Sequence, residues 1–335
     1  MAGSTILGKF RQGVVISLAL GVVVYVGYAL YTGWEETAGA LASFRWSLLP
    51  VLLAMSLANY GIRFVRWEMY LRMLDIRIPL KDSAAVFLAG LAMTITPGKV
   101  GEFLKSYLLR ESHDVPMATS APIVFAERVG DLLALILLAS FGVAAFGGPG
   151  AMPILVLAGG AVLAGVVVLQ SRTLTDLALR VGEKLPVASQ IVPKVREAVD
   201  ASRALLSAKP LIAGLALATA AWLFECWEYG LAFSGFAGPA VDYSVALFGY
   251  SFSTVAGVVS PGGLGPTDVG LIEIAGRFTD GLSHETATAA AFIVRFCTLW
   301  FAVIIGAIAL LRFGRVLDVD VETARGASPD PDSAD

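Results

Sequence analysis

Charge is scarce in this chain. Of 335 residues only 15% are Asp, Glu, Lys or Arg, while 57% are hydrophobic, and mean hydropathy is +0.76. Soluble domains carry nearer a quarter charged residues, so the composition is that of a polytopic membrane protein. Cysteine is nearly absent. Cys226 and Cys297 lie far apart within apolar stretches, which supports neither a disulfide nor a thiolate metal site and leaves two small buried residues. Only His113 and His284 are present, so a His-rich metal centre is excluded. Metal-binding acidic pairs, nucleophile–base sets and nucleotide loops are also missing. No catalytic residue, cofactor or metal ion is therefore assigned, and nothing points to nucleic acid.

What the chain has is apolar runs near 20 residues, the length that crosses a bilayer. Six stand out, at 13–31, 48–70, 118–146, 152–170, 210–235 and 285–312. The first follows Lys9 and Arg11, is longer than a signal core and lacks a cleavage site, so it reads as a retained span. The acidic, proline-containing tail 316–335 reads as disordered and solvated. Two further apolar segments, 83–110 and 243–277, are interrupted. The first break is Thr96-Pro97-Gly98-Lys99-Val100-Gly101-Glu102 and the second Ser260-Pro261-Gly262-Gly263-Leu264-Gly265-Pro266-Thr267-Asp268. Unpaired backbone is tolerated at membrane depth only where protein covers it or water reaches it.

Short inner loops carry excess Lys and Arg. By that rule Lys9 and Arg11, the stretch Arg63 to Lys81, the segment 171–209, and Arg312 with Arg315 all lie inside. Segment 83–110 then enters from and returns to the cytoplasm, and 243–277 does the same from outside. The fold expected is all-α: six full spans plus two re-entrant helical hairpins in an inverted-topology repeat. Eight spans is the alternative, and it also keeps both termini cytoplasmic. Phe64-x-x-Trp67-Glu68 matches Phe224-x-x-Trp227-Glu228 at an offset of 160, the two Pro-Gly pairs are 164 apart, and Arg128 and Arg295 are 167 apart. These ordered matches divide the chain into a first repeat at 1–146 and a second at 147–315.

Ionisable residues inside spans are costly and mark function. Arg63 and Arg66 share a helix face, either as a snorkelling inner rim or as a phosphate-contacting wall. Lys99, Glu102 and Lys105 follow the first break, where glycines and a new helix N-terminus favour an anion. Glu127, Arg128 and Asp131 form a cluster whose acids share a face, placed to pair with basic residues of the broken segment or to carry a proton. Arg295 needs a partner, with Asp268, Glu273 and Glu225 as candidates. Asp268 and Thr267 could equally cap the helix after the second break. Glu225 and Glu228, among Trp222, Trp227 and Tyr229, read either as an outer interfacial belt or as a proton relay. Segment 171–209 reads as a surface-lying amphipathic helix.

The pattern P-G-K-V-G-E-F-L-K, then A-E-R-V-G-D, then S-P-G-G-L-G-P-T-D and an Arg in the final span resembles the lysylphosphatidylglycerol synthase membrane region, a flippase-like family. The resemblance covers 10–312 and implies a multi-span inner-membrane protein engaged in lipid flipping or lipid-linked export. It carries over to Pro97, Gly98, Lys99, Gly101, Glu102, Glu127, Arg128, Pro261, Gly262, Gly263, Gly265 and Arg295. Lys99 stands where arginine is expected and Asp268 where glutamate is. With no aminoacyl-transferase domain after residue 312, the chain is expected not to be the synthase itself. The leading expectation is a translocator of a phospholipid or polyprenyl-phosphate-linked substrate in the cytoplasmic membrane. A lipid-linked glycosyl or phosphoryl transferase, or a non-transporting partner of a separately encoded synthase, are the alternatives.

Overall fold

A computed structural model describes residues 22–23, 27, 34–96, 101–146, 151–176 and 192–312. The expected first span, apart from residues 22, 23 and 27, lies outside the described residues, as do Pro97, Gly98 and Lys99 of the first break and the tail 316–335. No strand occurs among the described residues. The helices are α1 (Trp34–Ser43), α2 (Leu49–Met73), α3 (Leu80–Leu91), α4 (Leu104–His113), α5 (Met117–Phe146), α6 (Ala151–Gln170), α7 (Val192–Leu205), α8 (Ala208–Phe233), α9 (Tyr243–Ala256), α10 (Pro266–Phe278) and α11 (His284–Arg312). A five-residue π turn at Phe296–Trp300 interrupts α11.

The helix ends follow local chemistry. Asp242 caps α9, its carboxylate accepting the Ser244 N–H at 2.8 Å. Hydrogen bonds from the Ser244 hydroxyl and N–H hold that carboxyl below its usual value. Ser283 caps α11 by accepting the Thr286 N–H at 3.2 Å. Before α10, Gly265 takes φ +86°, a left-handed value that glycine adopts without a Cβ penalty. Pro266 then opens the helix, where its missing N–H costs nothing.

Length separates two kinds of helix. Three described helices are long and apolar enough to cross a bilayer, at Trp46–Met73, Ala208–Phe233 and His284–Arg312. They match the expected spans 48–70, 210–235 and 285–312. The expected spans 118–146 and 152–170 appear as α5 and α6. By contrast, α3, α4, α9 and α10 have 12, 10, 14 and 13 residues. At 1.5 Å per residue these reach ~15–21 Å, short of a ~30 Å hydrocarbon core. Each interrupted segment is thus a pair of short helices, and the two members of each pair pack on one another. Within 171–209, α7 lies against α5 with Val192, Ala201 and Leu205 buried. The expected helical positions Leu177 and Val181 fall outside the described residues.

Helix α8 lies along α2 and also touches α5, α9 and α11, while α5 packs on α7, α8 and α9. Helices before and after residues 147–150 therefore interlock. Two apolar clusters result: one around Leu52, Trp222, Tyr229, Leu271 and Val294, the other around Trp67, Tyr70, Leu104, Leu108 and Ile123. Large apolar side chains such as Leu57, Phe141, Val167, Ile212, Ile304 and Leu311 face outward. In water such a surface would be a liability; against lipid it costs nothing.

Small residues let backbones meet where lipid offers no hydrophobic push between helices. A Cβ on Gly306 of α11 would stand 2.1 Å from the Ala92 backbone nitrogen, just after α3, whereas one on Gly160 of α6 meets nothing within 4 Å. Gly306→Val is expected to cost about 1–3 kcal/mol through overpacking and to lower the thermal midpoint in detergent. Gly160→Ala should leave it unchanged or slightly raised. Equal midpoints for the two variants would contradict this packing.

Candidate functional site

A cavity of about 370 Å³ opens where α2, α3, α5, α8, α9 and α11 meet, and the second break forms part of its wall. Arg63, Arg66, Lys105, Arg128 and Arg295 line it, together with Glu102, Glu127, Asp131 and Glu225. In hydrocarbon such charges must be paired, and the pairing here is extensive.

Asp131 is the hub. Its carboxylate meets Arg66 at 2.8 Å, Arg128 at 2.9 Å and Arg63 at 3.2 Å. Arg63 is steered on three further sides. Its Nε donates to Asn59 Oδ1 at 2.9 Å, its guanidinium lies 3.5 Å from Glu225, and it stacks over the Trp222 ring at 4.6 Å. Tyr250 donates its hydroxyl to the other Glu225 oxygen at 2.6 Å. Arg66, only 1% exposed, is no snorkelling rim residue, and neither is Arg63. Both point inward because the acids that neutralise them are inside. Cys226 and Cys297 are buried free thiols, as their apolar settings indicated.

The first interrupted segment docks on α5 through two ion pairs. Lys105 Nζ meets Glu127 at 2.5 Å and lies 4.6 Å from the Trp67 ring. Glu102 meets Arg128 at 3.1 Å. Glu127–Lys105 is the pairing with a basic residue of the broken segment that the sequence offered; Asp131 instead pairs with Arg63 and Arg66 of α2 and with Arg128 of its own helix. Gly101 donates its N–H to Thr96 Oγ1 at 2.9 Å and closes the turn behind Glu102 without lining the cavity.

The second segment docks on α11 in the same manner. Of the three candidate partners for Arg295, Asp268 is the one engaged, at 2.8 Å. Its other oxygen accepts the Gly265 N–H at 2.9 Å, so Asp268 is both helix cap and counter-ion. Arg295 also donates to the Gly262 carbonyl at 2.5 Å. Pro261, Gly262 and Gly263 form a single turn in which Gly262 and Gly263 have φ +58° and +75°. A Cβ on Gly263 would lie 2.4 Å from Thr267 Oγ1, so both its conformation and its space demand glycine. Glu102 and Asp268 are 166 positions apart, and Arg128 and Arg295 are 167 apart. The same acid–arginine clamp thus recurs at nearly one offset.

The interfacial reading of Glu225 and Glu228 is corrected. Both are buried, as are Trp222 and Tyr229; Trp227 is exposed. The F-x-x-W-E match therefore does not place equivalent tryptophans, since Trp67 is fully buried. Asn59, Tyr60 and Tyr250 were not singled out from the sequence. A signal existed for the first two. Ser56, Asn59, Tyr60, Arg63 and Arg66 recur every three or four residues, a polar stripe on an otherwise apolar helix. Tyr250 carries no such mark.

The cavity, the two clamps and the apolar exterior can now be set beside known sequences. The family described as lysylphosphatidylglycerol synthase TM region matches residues 14–306. The chain belongs to this membrane-protein family. Comparison with curated proteins gives no match. The family match spans both interrupted segments, so the clamps fall within the shared region.

Replacing Asp131 by Asn keeps the shape but removes the charge that three arginines share. Breaking a buried pair from one side costs about 3–5 kcal/mol. Asp131→Asn is accordingly expected to show a large drop in detergent thermal midpoint. Glu111→Gln, whose exposed partner is Arg110, should shift it little, because exposed pairs are worth ~0–1 kcal/mol. Similar small shifts for both would mean that the hub does not hold the helices together.

Proposed function

We propose that the chain is a lipid translocator of the cytoplasmic membrane, moving a phospholipid or polyprenyl-phosphate-linked head group through the cavity between its two halves. The observation that carries this reading is the cavity itself: five cations and four acids, contributed by both halves, enclosed by apolar helices. Arginine forks suit phosphate oxygens. The four acids, with Asp268 behind Arg295 as the fifth, balance the five cations and offer partners to a cationic head group, while acyl chains stay in lipid beside the apolar outer faces.

The transport architecture belongs to the same proposal. The two short-helix pairs are re-entrant hairpins entering from opposite sides, related by an inverted repeat whose halves are 1–146 and 147–315. The recurring Glu102–Arg128 and Asp268–Arg295 clamps support this relation, and helix lengths short of a full crossing support the hairpins. The loop charges favour both termini in the cytoplasm. Six crossings plus two hairpins then follow, and alternating access is a rocking of one half against the other. Pro97, Gly98, Lys99 and Gly101 at the first tip, with Pro261, Gly262, Gly263 and Gly265 at the second, shape the approach of the head group. No catalytic role is proposed, because the cavity's carboxylates are engaged with arginine, lysine and tyrosine groups. A separately encoded lipid synthase is the fitting partner.

In proteoliposomes a head-group-labelled anionic phospholipid should cross faster than in protein-free vesicles. Arg63→Gln and Arg128→Gln should each slow it several-fold, since a phosphate exchanges for a carboxylate on each arginine and only the difference between two charge-assisted bonds is lost. Arg77→Gln, on an exposed loop, should not slow it. Wild-type rates equal to empty vesicles, beside a working control transporter, would overturn the reading. For the hairpins, Lys99→Cys and Ser260→Cys should react with impermeant thiol reagents from opposite sides of the membrane. Labelling of both from one side sinks the inverted arrangement.

A further inference from the structure

One buried carboxylate takes no part in the charged network. Glu228 lies on α8 one helical turn after Glu225 and is 0% exposed. No ion pair reaches it among the described residues; Arg63, the cation paired with Glu225 one turn earlier, is also engaged by Asp131. Its hydrogen-bond partner is Ser56 of α2, whose Oγ stands 3.1 and 3.0 Å from the two carboxyl oxygens. The same Oγ stands 2.9 Å from the Cys297 carbonyl oxygen.

Cys297 sits in the π turn of α11, where the regular helical bonding of carbonyls is interrupted. Tyr60 reaches the Cys297 and Thr298 carbonyls at 3.4 and 3.3 Å. Three acceptors, the Glu228 carboxyl and two carbonyls, thus face two hydroxyls, each with one proton to donate. A proton on Glu228 completes the set. Glu228 then donates to Ser56, Ser56 to the Cys297 carbonyl, and Tyr60 to the Thr298 carbonyl. An ionised carboxylate sealed from water without a counter-charge is far costlier than the neutral acid. Separations of 2.9–3.1 Å are hydrogen-bond lengths.

We propose that Glu228 is a proton-binding site, through which a proton gradient is coupled to lipid movement; the coupling rests on the translocator reading. Tyr60, Thr298 and Glu225 all face the cavity, so the site lies just behind the space the head group would occupy. On release the Glu228 O–H bond breaks, the electron pair stays on the carboxylate and the proton leaves to solvent by way of the cavity. The groups around Glu228 are Glu225 on its own helix, Ser56 and Tyr60 on α2, and Cys297 on α11, with Arg63 bearing on it only through Glu225. Through contacts with Glu225 and Arg63, Tyr250 of α9 and Asp131 of α5 also bear on it. The bare carboxylate would repel Glu225 one helical turn away, and so bear on the Glu225–Arg63 contact at the cavity wall.

The test uses the full chain. Infrared difference spectra between wild type and Glu228→Gln at neutral pH should contain one protonated-carboxyl stretch that the variant lacks. Ser56→Ala, which keeps the carboxyl but removes its partner, should move that band rather than delete it. In proteoliposomes, the ratio of head-group-labelled phospholipid movement with and without an imposed pH gradient should exceed unity for wild type and fall to unity for Glu228→Gln. Absence of the band overturns the proton site. An equal ratio in the two proteins overturns the coupling, and so does acceleration by a sodium gradient at matched pH. Wild-type vesicles that move no lipid overturn the translocator reading and the coupling with it, while the band still decides separately whether Glu228 carries a proton.

Discussion

One carboxylate, Asp131, is shared by three arginines from two helices, and the arrangement of the helices depends on it. A single guanidinium in hydrocarbon costs several kcal/mol even with relaxation. Arg63 and Arg66 can point inward from α2 only because α5 brings an acid to meet them. Once they do, α2 and α5 are fixed in rotation, and α8 must present Glu225 and Trp222 to cover Arg63. The register of three long helices follows from one charge balance. Apolar packing alone would not set it, because most of their remaining surface is interchangeable aliphatic side chain facing lipid or a neighbour.

The same constraint explains how far the site could be read from the sequence. Charges inside apolar runs were conspicuous, and Arg63, Arg66, Glu102, Lys105, Glu127, Arg128, Asp131 and Arg295 all reach the cavity wall. Asp268 was legible as cap or counter-ion and serves as both. The partners were not legible, since pairing depends on which helix faces lie together. Arg128 could have met any of several acids, and only the docking of α4 on α5 selects Glu102. Neutral residues carried still less signal. Tyr250 looks like any aromatic of a span until α9 turns its hydroxyl onto Glu225. The aromatic density around Glu225 misled because Trp and Tyr serve interfaces and cores equally well; burial separates Trp222 from Trp227.

The interrupted segments show why glycine and proline sit where they do. A helix that ends within an apolar segment exposes carbonyls and N–H groups that must find partners. At the second break the partners are specific: Arg295 takes the Gly262 carbonyl, and Asp268 takes the Gly265 N–H. The clamp that neutralises a buried arginine therefore also satisfies the broken backbone. At the first break the Glu102–Arg128 pair stands in the corresponding place. In both segments an acid just after the break pairs with an arginine on the next helix, at sequence offsets that differ by one residue.

A cavity whose cations are already paired has a consequence for any transported head group. An incoming phosphate does not meet free charge; it must displace a carboxylate from an arginine. The net gain is the difference between two similar charge-assisted bonds, which is small compared with either alone. Weak net binding suits a translocator, which must release its cargo as readily as it takes it. On the proposed translocator reading, the internal pairs would also be part of the transport cycle, since each displaced acid would need a new partner or a proton. Asp131, held by three arginines, can give up one contact and keep two. Glu127, whose described ion pair is with Lys105, would lose its counter-charge if a phosphate took that lysine, so the head group most compatible with this wall carries positive charge beside its phosphate. A purely anionic head group would bind to the same cations but strand that acid, and should be the slower cargo of the two.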